Sequence, residues 1–270
     1  MRCVIFDLGG TLIDKYSMSP LVNLRKAFTF QNVNLCNSLI SKDMGMKKLD
    51  HIIALSKEDE FKNQFRQVYG RYHEETDLYT IYNIFSSLQR QSLRKKVEII
   101  PETKKAIDYL KERDIKIGIT TGFSKDQMNI ALDLLHNHDI VPDASVSSTC
   151  LNNSGKHVLG RPHPHMIHHL MDELKINDPK HVLKVDDTCV GIQEGKNAGC
   201  LTVGIARWSI NMNVTSEEEL FNLTEDTIND KLTQSRHILL KEEPTYLINT
   251  LSELKYCIDP LYLNLKKDIL

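Results

Sequence analysis

Short apolar runs alternate with amphipathic stretches along most of this chain of 270 residues. The runs at 3–6, 116–120, 144–147, 181–185 and 201–205 are predicted to form buried strands, with a further strand at 246–248. The stretches between most of these runs carry apolar residues at helical spacing. Strands that alternate with helices build a parallel sheet with helices on both faces. We therefore predict an α/β fold with a doubly wound parallel sheet.

The first crossover is too long to be one helix. Residues 16–98 contain several predicted helices and no obvious strand, and the pair Ser19-Pro20 is typical of a helix start with serine as the N-cap. We predict a helical cap domain at 16–98, inserted into a core domain of residues 1–15 and 99–270. A segment inserted at the carboxyl ends of the strands can close over that edge and exclude water.

Composition and charge exclude several classes of protein. The chain is 41% hydrophobic and 26% charged, with a net charge of −2, which indicates neither a nucleic acid nor a membrane surface as partner. No apolar run is long enough to span a bilayer, and we expect no signal peptide. The six cysteines include no CxxC pair and are typical of reduced thiols. We predict a cytoplasmic location.

The first strand ends in an acid followed closely by two glycines, in the order Asp7-Leu8-Gly9-Gly10. A carboxylate at the carboxyl end of a parallel strand lies in the crevice where open α/β sheets bind ligands. The glycines allow a sharp turn and a close approach to a ligand. Taken alone, this stretch also fits an aspartate that merely caps the next turn.

Two other strand ends and one loop carry residues suited to phosphate and metal chemistry. Thr120 and Thr121 can hold phosphoryl oxygens, although a strand-ending turn is the commoner role. Asp186 and Asp187 either help the first acid to hold a hard cation or lie in a solvated turn. Arg161 can make bidentate contacts with a phosphoryl group, although an exposed loop arginine is more common.

The predicted cap contains the stretch Met44-Gly45-Met46-Lys47-Lys48-Leu49-Asp50-His51. Lys48 and His51 are three residues apart and therefore share one face of a helix. On composition alone, this stretch is an ordinary amphipathic helix.

Together these segments resemble a known family. The stretch around Asp7 and those at 117–122, 160–162 and 184–199 are similar to motifs of the haloacid dehalogenase superfamily. The segment 44–51 resembles the phosphonoacetaldehyde hydrolase (phosphonatase) branch in particular. Gly9 replaces the second acid that phosphatases of the superfamily use as general acid. In the last motif many members have Gly-Asp-Thr and then a further acid, where this chain has Asp186-Asp187-Thr188 and Gly191.

The resemblance implies Mg²⁺-dependent hydrolysis of the C–P bond of phosphonoacetaldehyde by a homodimer joined through its caps. It implies that Asp7 is the nucleophile that forms an aspartyl-phosphate, that Lys48 is the amine that forms an imine, and that His51 is a proton shuttle. The implied magnesium ligands are Asp7, Asp187 and the Gly9 carbonyl. The implied substrate ligands are Thr120, Thr121 and Arg161, and Met44 forms part of the pocket wall. Either Asp186 or a water compensates for Gly191.

Two alternatives stay open. One is a capped phosphatase or phosphomutase of the same fold that acts on a small phosphate ester, against which Gly9 argues. The other is a catalytically silent relative that binds a phosphorylated ligand or a protein partner, which Gly191 keeps open. Magnesium-dependent phosphate release separates the enzymes from the silent relative.

Overall fold

The computed structural model describes residues 1–151 and 159–259, and its described strands form one parallel sheet. The strands are β1 (Cys3–Phe6), β2 (Lys116–Thr121), β3 (Ala144–Ser147), β4 (Val182–Asp186), β5 (Leu201–Ile205) and β6 (Tyr246–Ile248). Their order in the sheet is β3-β2-β1-β4-β5-β6, and every neighbouring pair is parallel. The predicted doubly wound α/β fold is confirmed, and β1 lies between β2 and β4.

Helices supply the crossovers and fill the stretch between β1 and β2. Those that precede the second strand are α1 (Met18–Thr29), α2 (Asn37–Ser41), α3 (Lys48–Leu55), α4 (Asp59–Tyr69), α5 (Glu75–Lys95) and α6 (Thr103–Lys111). The later ones are α7 (Lys125–His136), α8 (His165–Glu173), α9 (Cys189–Asn197), α10 (Glu217–Phe221), α11 (Glu225–Leu240) and α12 (Lys255–Ile258). Within the described part of the chain, none of these helices combines the length and the apolar character that a bilayer crossing needs.

Residues 16–98, called the helical block below, bury an apolar core of their own. This core includes Phe28, Phe61, Phe65 and Phe85, and among the described residues only Ile210 joins it from outside the block. The largest cluster of the sheet is built mainly from side chains of the strands and of α6 and α7, and Leu93 and Val97 at the end of the block join it. The domain boundaries at 16 and 98 stay a prediction.

A turn with an unusual backbone leads from β1 into the helical block. Asp14, Tyr16 and Ser17 all have positive φ angles, of 57°, 65° and 46°. The buried Asp14 carboxylate accepts a hydrogen bond from the backbone N–H of Ser19 at 3.2 Å. The predicted N-cap at Ser19 is therefore wrong: α1 begins at Met18, and a carboxylate five residues before Ser19 satisfies this amide of the first turn.

Phe28 and Phe30 offer a matched test of the core of the helical block, because Phe28 is fully buried and Phe30 is 65% exposed. We expect Phe28→Ala to lower the free energy of unfolding by about 3–5 kcal/mol, because the lost ring leaves a cavity. Phe30→Ala should change it by less than about 0.5 kcal/mol. Urea denaturation followed by circular dichroism measures both. Equal effects for the two variants would contradict this assignment of the core.

Candidate active site

Three aspartates meet where the two central strands β1 and β4 end. Asp7 directly follows β1, Asp186 is the last residue of β4, and Asp187 follows it. Each offers one carboxylate oxygen to a group in which all oxygens lie within 4.8 Å of one another. All three side chains are buried. The predicted convergence at the carboxyl edge of the sheet therefore exists, and it includes Asp186 as well as Asp7 and Asp187.

The buried acids titrate abnormally. Burial raises the pKa of Asp7 to about 6, although the Arg161 guanidinium, 2.7 Å away, favours its charged form. Burial also raises the pKa of Asp187 well above its usual range, and the charges of Asp186 and Asp7 add to that shift. Burial opposes ionisation of Asp186 too, but Lys184 and Arg161 beside it bring its pKa below the usual value.

This group of acids fits a divalent cation. Carboxylate oxygens are hard ligands of the kind that Mg²⁺ and similar ions prefer. Oδ2 of Asp186 is buried, and no residue in the described part of the chain donates a well-aligned hydrogen bond to it. Asp187 is held in place because its Oδ2 accepts from the N–H of Ile210 at 3.1 Å. A positive ion here would relieve repulsion between like charges that burial otherwise strengthens.

Arg161 is one of the cations of the site and is buried rather than exposed in its loop. Its Nη1 donates to Asp7 Oδ1 at 2.7 Å, and its Nη2 donates to both the carbonyl and the hydroxyl oxygen of Thr120 at 2.7 Å. Its Nε lies 2.8 Å from Glu194 Oε2. Burial opposes the charge of Arg161, but Glu194, Asp7 and Asp186 outweigh that effect and raise its pKa further.

Thr120 does not line the cavity in front of Asp7, and its role as a ligand of phosphoryl oxygens stays a prediction. Its hydroxyl accepts from Arg161 Nη2 and Lys184 Nζ and lies 3.1 Å from Glu194 Oε2, so its bonding capacity is used inside the protein. Because side chains alternate along a strand, the next residue, Thr121, faces the opposite way and lines the cavity in front of Asp7. Of the two predicted threonines, only Thr121 is placed to meet a ligand.

Lys184 and Glu194 contact residues of the site without lining the cavity, and no role was predicted for either. Lys184 Nζ lies 2.9 Å from the Thr120 hydroxyl, 3.0 Å from Asp186 Oδ2 and 3.5 Å from Glu194 Oε2. Both residues are fully buried. A lysine in the middle of an apolar strand is a signal that could have identified this network, because lysine is seldom fully buried unless it is paired.

Helix α3 brings an amine to the same place. Lys48 Nζ lies 3.0 Å from Met44 Sδ and 3.4 Å from Nδ1 of His51, and both Lys48 and His51 are buried. Burial lowers the pKa of Lys48 to about 8; Asp7 opposes this shift, whereas Arg161 adds to it. Burial and the neighbouring Lys48 lower the pKa of His51 well below its usual value. Lys48 is therefore an unusually weak base, and the imidazole ring beside it is neutral.

One small cavity of about 30 Å³ is lined by both Lys48 and Asp7, whereas Asp186 and Asp187 are not part of its wall. Its wall is formed by Asp7, Gly9, Ser17, Pro20, Met44, Gly45, Met46, Lys48, Thr121, Gly122, Phe123, Arg161 and Thr188. This volume is about the space of one water molecule. At the edge of this cavity the backbone at Gly122 packs closely against the backbone at Gly45. A Cβ built on Gly122 would lie 2.6 Å from the carbonyl oxygen of Gly45. The helical block thus lies closed over the carboxyl edge of the sheet.

Comparisons with known proteins agree with this geometry. A family model described as haloacid dehalogenase-like hydrolase matches residues 1–199. The phosphonoacetaldehyde hydrolase of Latilactobacillus sakei subsp. sakei (strain 23K) is 34% identical, over 94% of this chain and 93% of its own length. The chain belongs to the phosphonoacetaldehyde hydrolase branch of the haloacid dehalogenase-like hydrolases. The predicted family is confirmed, and the protein is a hydrolase.

Other relatives share the same overall architecture. The phosphonoacetaldehyde hydrolase of Bacillus thuringiensis (strain Al Hakam) is 30% identical over 94% of both chains. A crystal structure of a phosphonoacetaldehyde hydrolase-like protein from Oleispira antarctica superposes with a TM-score of 0.87 at 25% identity, over 98% of this chain and 94% of that one. A structure titled putative β-phosphoglucomutase from Bacteroides vulgatus superposes with a TM-score of 0.65 at 16% identity, over 98% of this chain and 90% of that one. At this identity, the likeness shows the shared fold alone.

The lowered pKa of Lys48 is directly measurable. We expect the ¹³Cε resonance of Lys48 to titrate with a midpoint at about 8, whereas an ordinary lysine titrates near 10.5. Lys48→Arg removes this resonance and so assigns it. Asp7→Asn should move the midpoint lower still, because the negative charge of Asp7 favours the protonated amine. A midpoint near 10.5 in the folded protein would refute the desolvated environment of Lys48.

Proposed function

We propose that the protein hydrolyses the carbon–phosphorus bond of phosphonoacetaldehyde and releases acetaldehyde and phosphate. The observation that carries this proposal is the single cavity that Lys48, Asp7 and Arg161 line together. Relatives named phosphonoacetaldehyde hydrolase, which match this chain over nearly their whole length, support it. An amine, a carboxylate and a guanidinium on the wall of one cavity suit a substrate with an aldehyde at one end and a phosphonate at the other. Because this cavity of about 30 Å³ has room for about one water molecule, the helical block must move away from the sheet edge to admit such a substrate.

The Lys48 amine addresses the central difficulty of this reaction. The carbon bound to phosphorus has no lone pair that an acid could protonate, so this carbon must leave as a stabilised carbanion. When the amine condenses with the aldehyde and water departs, the protonated imine becomes an electron sink next to the C–P bond. With a pKa of about 8, roughly one tenth of Lys48 is unprotonated at about pH 7, against about one in three thousand for a lysine at 10.5.

Asp7 is the nucleophile of this proposal. One of its carboxylate oxygens attacks phosphorus, the C–P bond breaks, and the electron pair moves into the imine to give an enamine. Protonation of the enamine at carbon gives the acetaldehyde imine, and water releases acetaldehyde and the free amine. Water then hydrolyses the aspartyl-phosphate to phosphate. The neutral ring of His51, 3.4 Å from Lys48 Nζ, is placed to move protons during imine formation and hydrolysis.

Gly9 fits a carbon leaving group better than an oxygen leaving group. A general acid contributes about 10²–10⁴-fold to proton transfer in such sites, and glycine has no side chain to supply it. A Cβ on Gly9 would lie 3.3 Å from Ser17 Oγ, a contact that a shift of a few tenths of an ångström would relieve. Gly9 therefore argues against the phosphate-ester alternative.

Arg161 and Thr121 are the proposed ligands of the phosphoryl oxygens, and Met44 lines the pocket beside the amine. Asp7, Asp187 and the Gly9 carbonyl are the residues that would hold Mg²⁺, and the ion would supply positive charge that reduces repulsion between the phosphonate and the attacking carboxylate. The structure describes one chain, so the predicted homodimer stays a prediction.

Borohydride trapping tests the imine. We expect borohydride added with phosphonoacetaldehyde to inactivate the protein irreversibly, and mass spectrometry to find the adduct on Lys48. Lys48→Arg should show no adduct and no phosphate release, because its guanidinium cannot form this imine. Lys47→Arg, the matched control one residue away, should behave like wild type. An adduct on another lysine, or an active Lys48→Arg protein, would overturn the proposal.

Asp7→Asn separates the two halves of the reaction. This variant keeps the amine but loses the nucleophile, so the imine should form while the C–P bond stays intact. We expect borohydride to leave a phosphonoethyl group on Lys48 in Asp7→Asn and an ethyl group in wild type. Phosphate release by Asp7→Asn should fall by at least about 10³-fold. An ethyl adduct in the variant would show that another group attacks phosphorus.

A further inference from the structure

A larger cavity lies beside the small catalytic one, between α2 in the helical block and the helices α9 and α11. Its volume is about 400 Å³, and it is called the outer cavity below. Lys42 and Met44 line it from the block, and Thr188 and Gln234 line it from the other side. A space of this size holds a small organic molecule together with several waters.

The outer cavity and the catalytic cavity share part of their walls, because Met44 and Thr188 line both. A Cβ built on Gly45 would lie 2.8 Å from Thr188 Oγ1, so the block packs closely against Thr188 here. The Thr188 hydroxyl is fixed, since it donates to Asp186 Oδ1 at 2.7 Å. The unbranched side chain of Met44 is flexible, and Lys48 Nζ contacts its sulfur at 3.0 Å. Met44 is therefore the movable part of the shared wall.

The charge of the outer cavity suits an anion. Among the described residues that line it, Lys42 carries the only full charge, and side-chain amides of Asn211 and Gln234 add hydrogen-bond donors. Lys42 Nζ lies 3.5 Å from Glu58 Oε1, but both side chains are exposed, and an exposed ion pair of this kind is weak. An incoming anion can therefore compete for Lys42.

A second cavity of similar size provides a comparison. It has a volume of about 380 Å³, also lies beside the helical block, and is called the linker cavity because Asp14 and Val97 line it. None of its described lining residues lines the catalytic cavity, and its wall includes the acids Asp14 and Glu217. Size and contact with the block are thus common to both cavities, whereas a shared wall with the catalytic site is not.

We propose that the outer cavity is the entry site of the catalytic centre: it holds a small anion near Lys42, and displacement of the Met44 side chain, as the block moves, joins it to the catalytic cavity. The next cations on this path are Lys48 and Arg161, which line the catalytic cavity. The inference rests on the proposed function for the identity of the anion, a phosphonate that also carries an aldehyde.

Tryptophan substitutions test the route. Gln234→Trp on α11 and Ser38→Trp on α2 fill the outer cavity from its two sides, and Val22→Trp on α1 fills the linker cavity as the control. We expect kcat/KM for phosphonoacetaldehyde to fall at least about tenfold in the first two variants and to stay within about twofold in the third, because only the outer cavity lies on the path. Melting temperatures show which variants are folded, and Ser38→Trp decides the matter if Gln234→Trp is not.

Charge reversal tests the anion. Lys42→Glu should lower kcat/KM at least about fivefold at low ionic strength, because a negative charge at the entry repels the phosphonate. This loss should shrink toward wild type at about 0.5 M NaCl, since salt screens exposed charges. Lys26→Glu makes the same change at an exposed lysine of the linker cavity and should have less than a twofold effect at either about 0.05 M or about 0.5 M NaCl.

Acetaldehyde provides a readout that needs no cleavage of phosphonoacetaldehyde. Its imine with Lys48 can be reduced by neutral dimethylamine–borane, and mass spectrometry follows the ethyl group. Gln234→Trp should slow this trapping, whereas Lys42→Glu should trap acetaldehyde as fast as wild type because the aldehyde is uncharged.

Equal effects of the three tryptophan variants would overturn the entry site, and a Lys42→Glu protein with wild-type kcat/KM at low salt would overturn its anion-holding role. Wild-type protein that shows the expected acetaldehyde pattern but does not cleave phosphonoacetaldehyde would leave the route standing and refute the proposed substrate. The two proposals therefore fail in different experiments.

Discussion

Burial of opposite charges at one edge of the sheet is the constraint on which the rest of this structure depends. Isolated buried carboxylates are costly, so they persist only where cations or hydrogen-bond donors compensate them. Here Arg161 lies 2.7 Å from Asp7, and Lys184 lies 3.0 Å from Asp186. Glu194 and Thr120 complete the contacts of these two cations. This arrangement holds the nucleophile candidate among buried partners.

The helical block also buries Lys48. An amine in water is almost entirely protonated at neutral pH, and burial is what brings the pKa of Lys48 down to about 8. The backbone around Gly45 lies close to Gly122 at the edge of this cavity. Burial therefore serves both ends of the proposed reaction: it activates the amine, and it strengthens the electrostatic effect of Arg161 on the phosphoryl group.

Most of the fold and part of the candidate site could be predicted from the sequence, because strand ends and helix faces have strong local signals. Asp7, Asp187 and Arg161 meet as their places at the sheet edge and before α8 suggest, and Lys48 and His51 share a helix face. The choice between Thr120 and Thr121 was not predictable in this way. It depends on which of two adjacent side chains faces the cavity, and a shift of one residue reverses the answer.

Other features depend on contacts between distant parts of the chain. Lys184 and Glu194 compensate charges that lie on β1 and in the loop before α8, and Asp14 rather than a serine satisfies an amide at the start of α1. A Cβ at position 191 would overlap the carboxylate of Asp186, and this close approach likewise becomes visible only in three dimensions. A lysine in an apolar strand indicates that a partner exists, but local sequence patterns do not identify the partner until the fold has placed it.

The proposed site favours a carbon leaving group over an oxygen leaving group. A comparison of kcat/KM for phosphonoacetaldehyde with that for glycolaldehyde phosphate, which carries the same aldehyde but a phosphate ester, tests this preference. We expect the phosphonate to be preferred by at least about 100-fold, because the imine assists only a carbon leaving group and Gly9 supplies no acid for an oxygen. Equal or faster hydrolysis of the ester would contradict it.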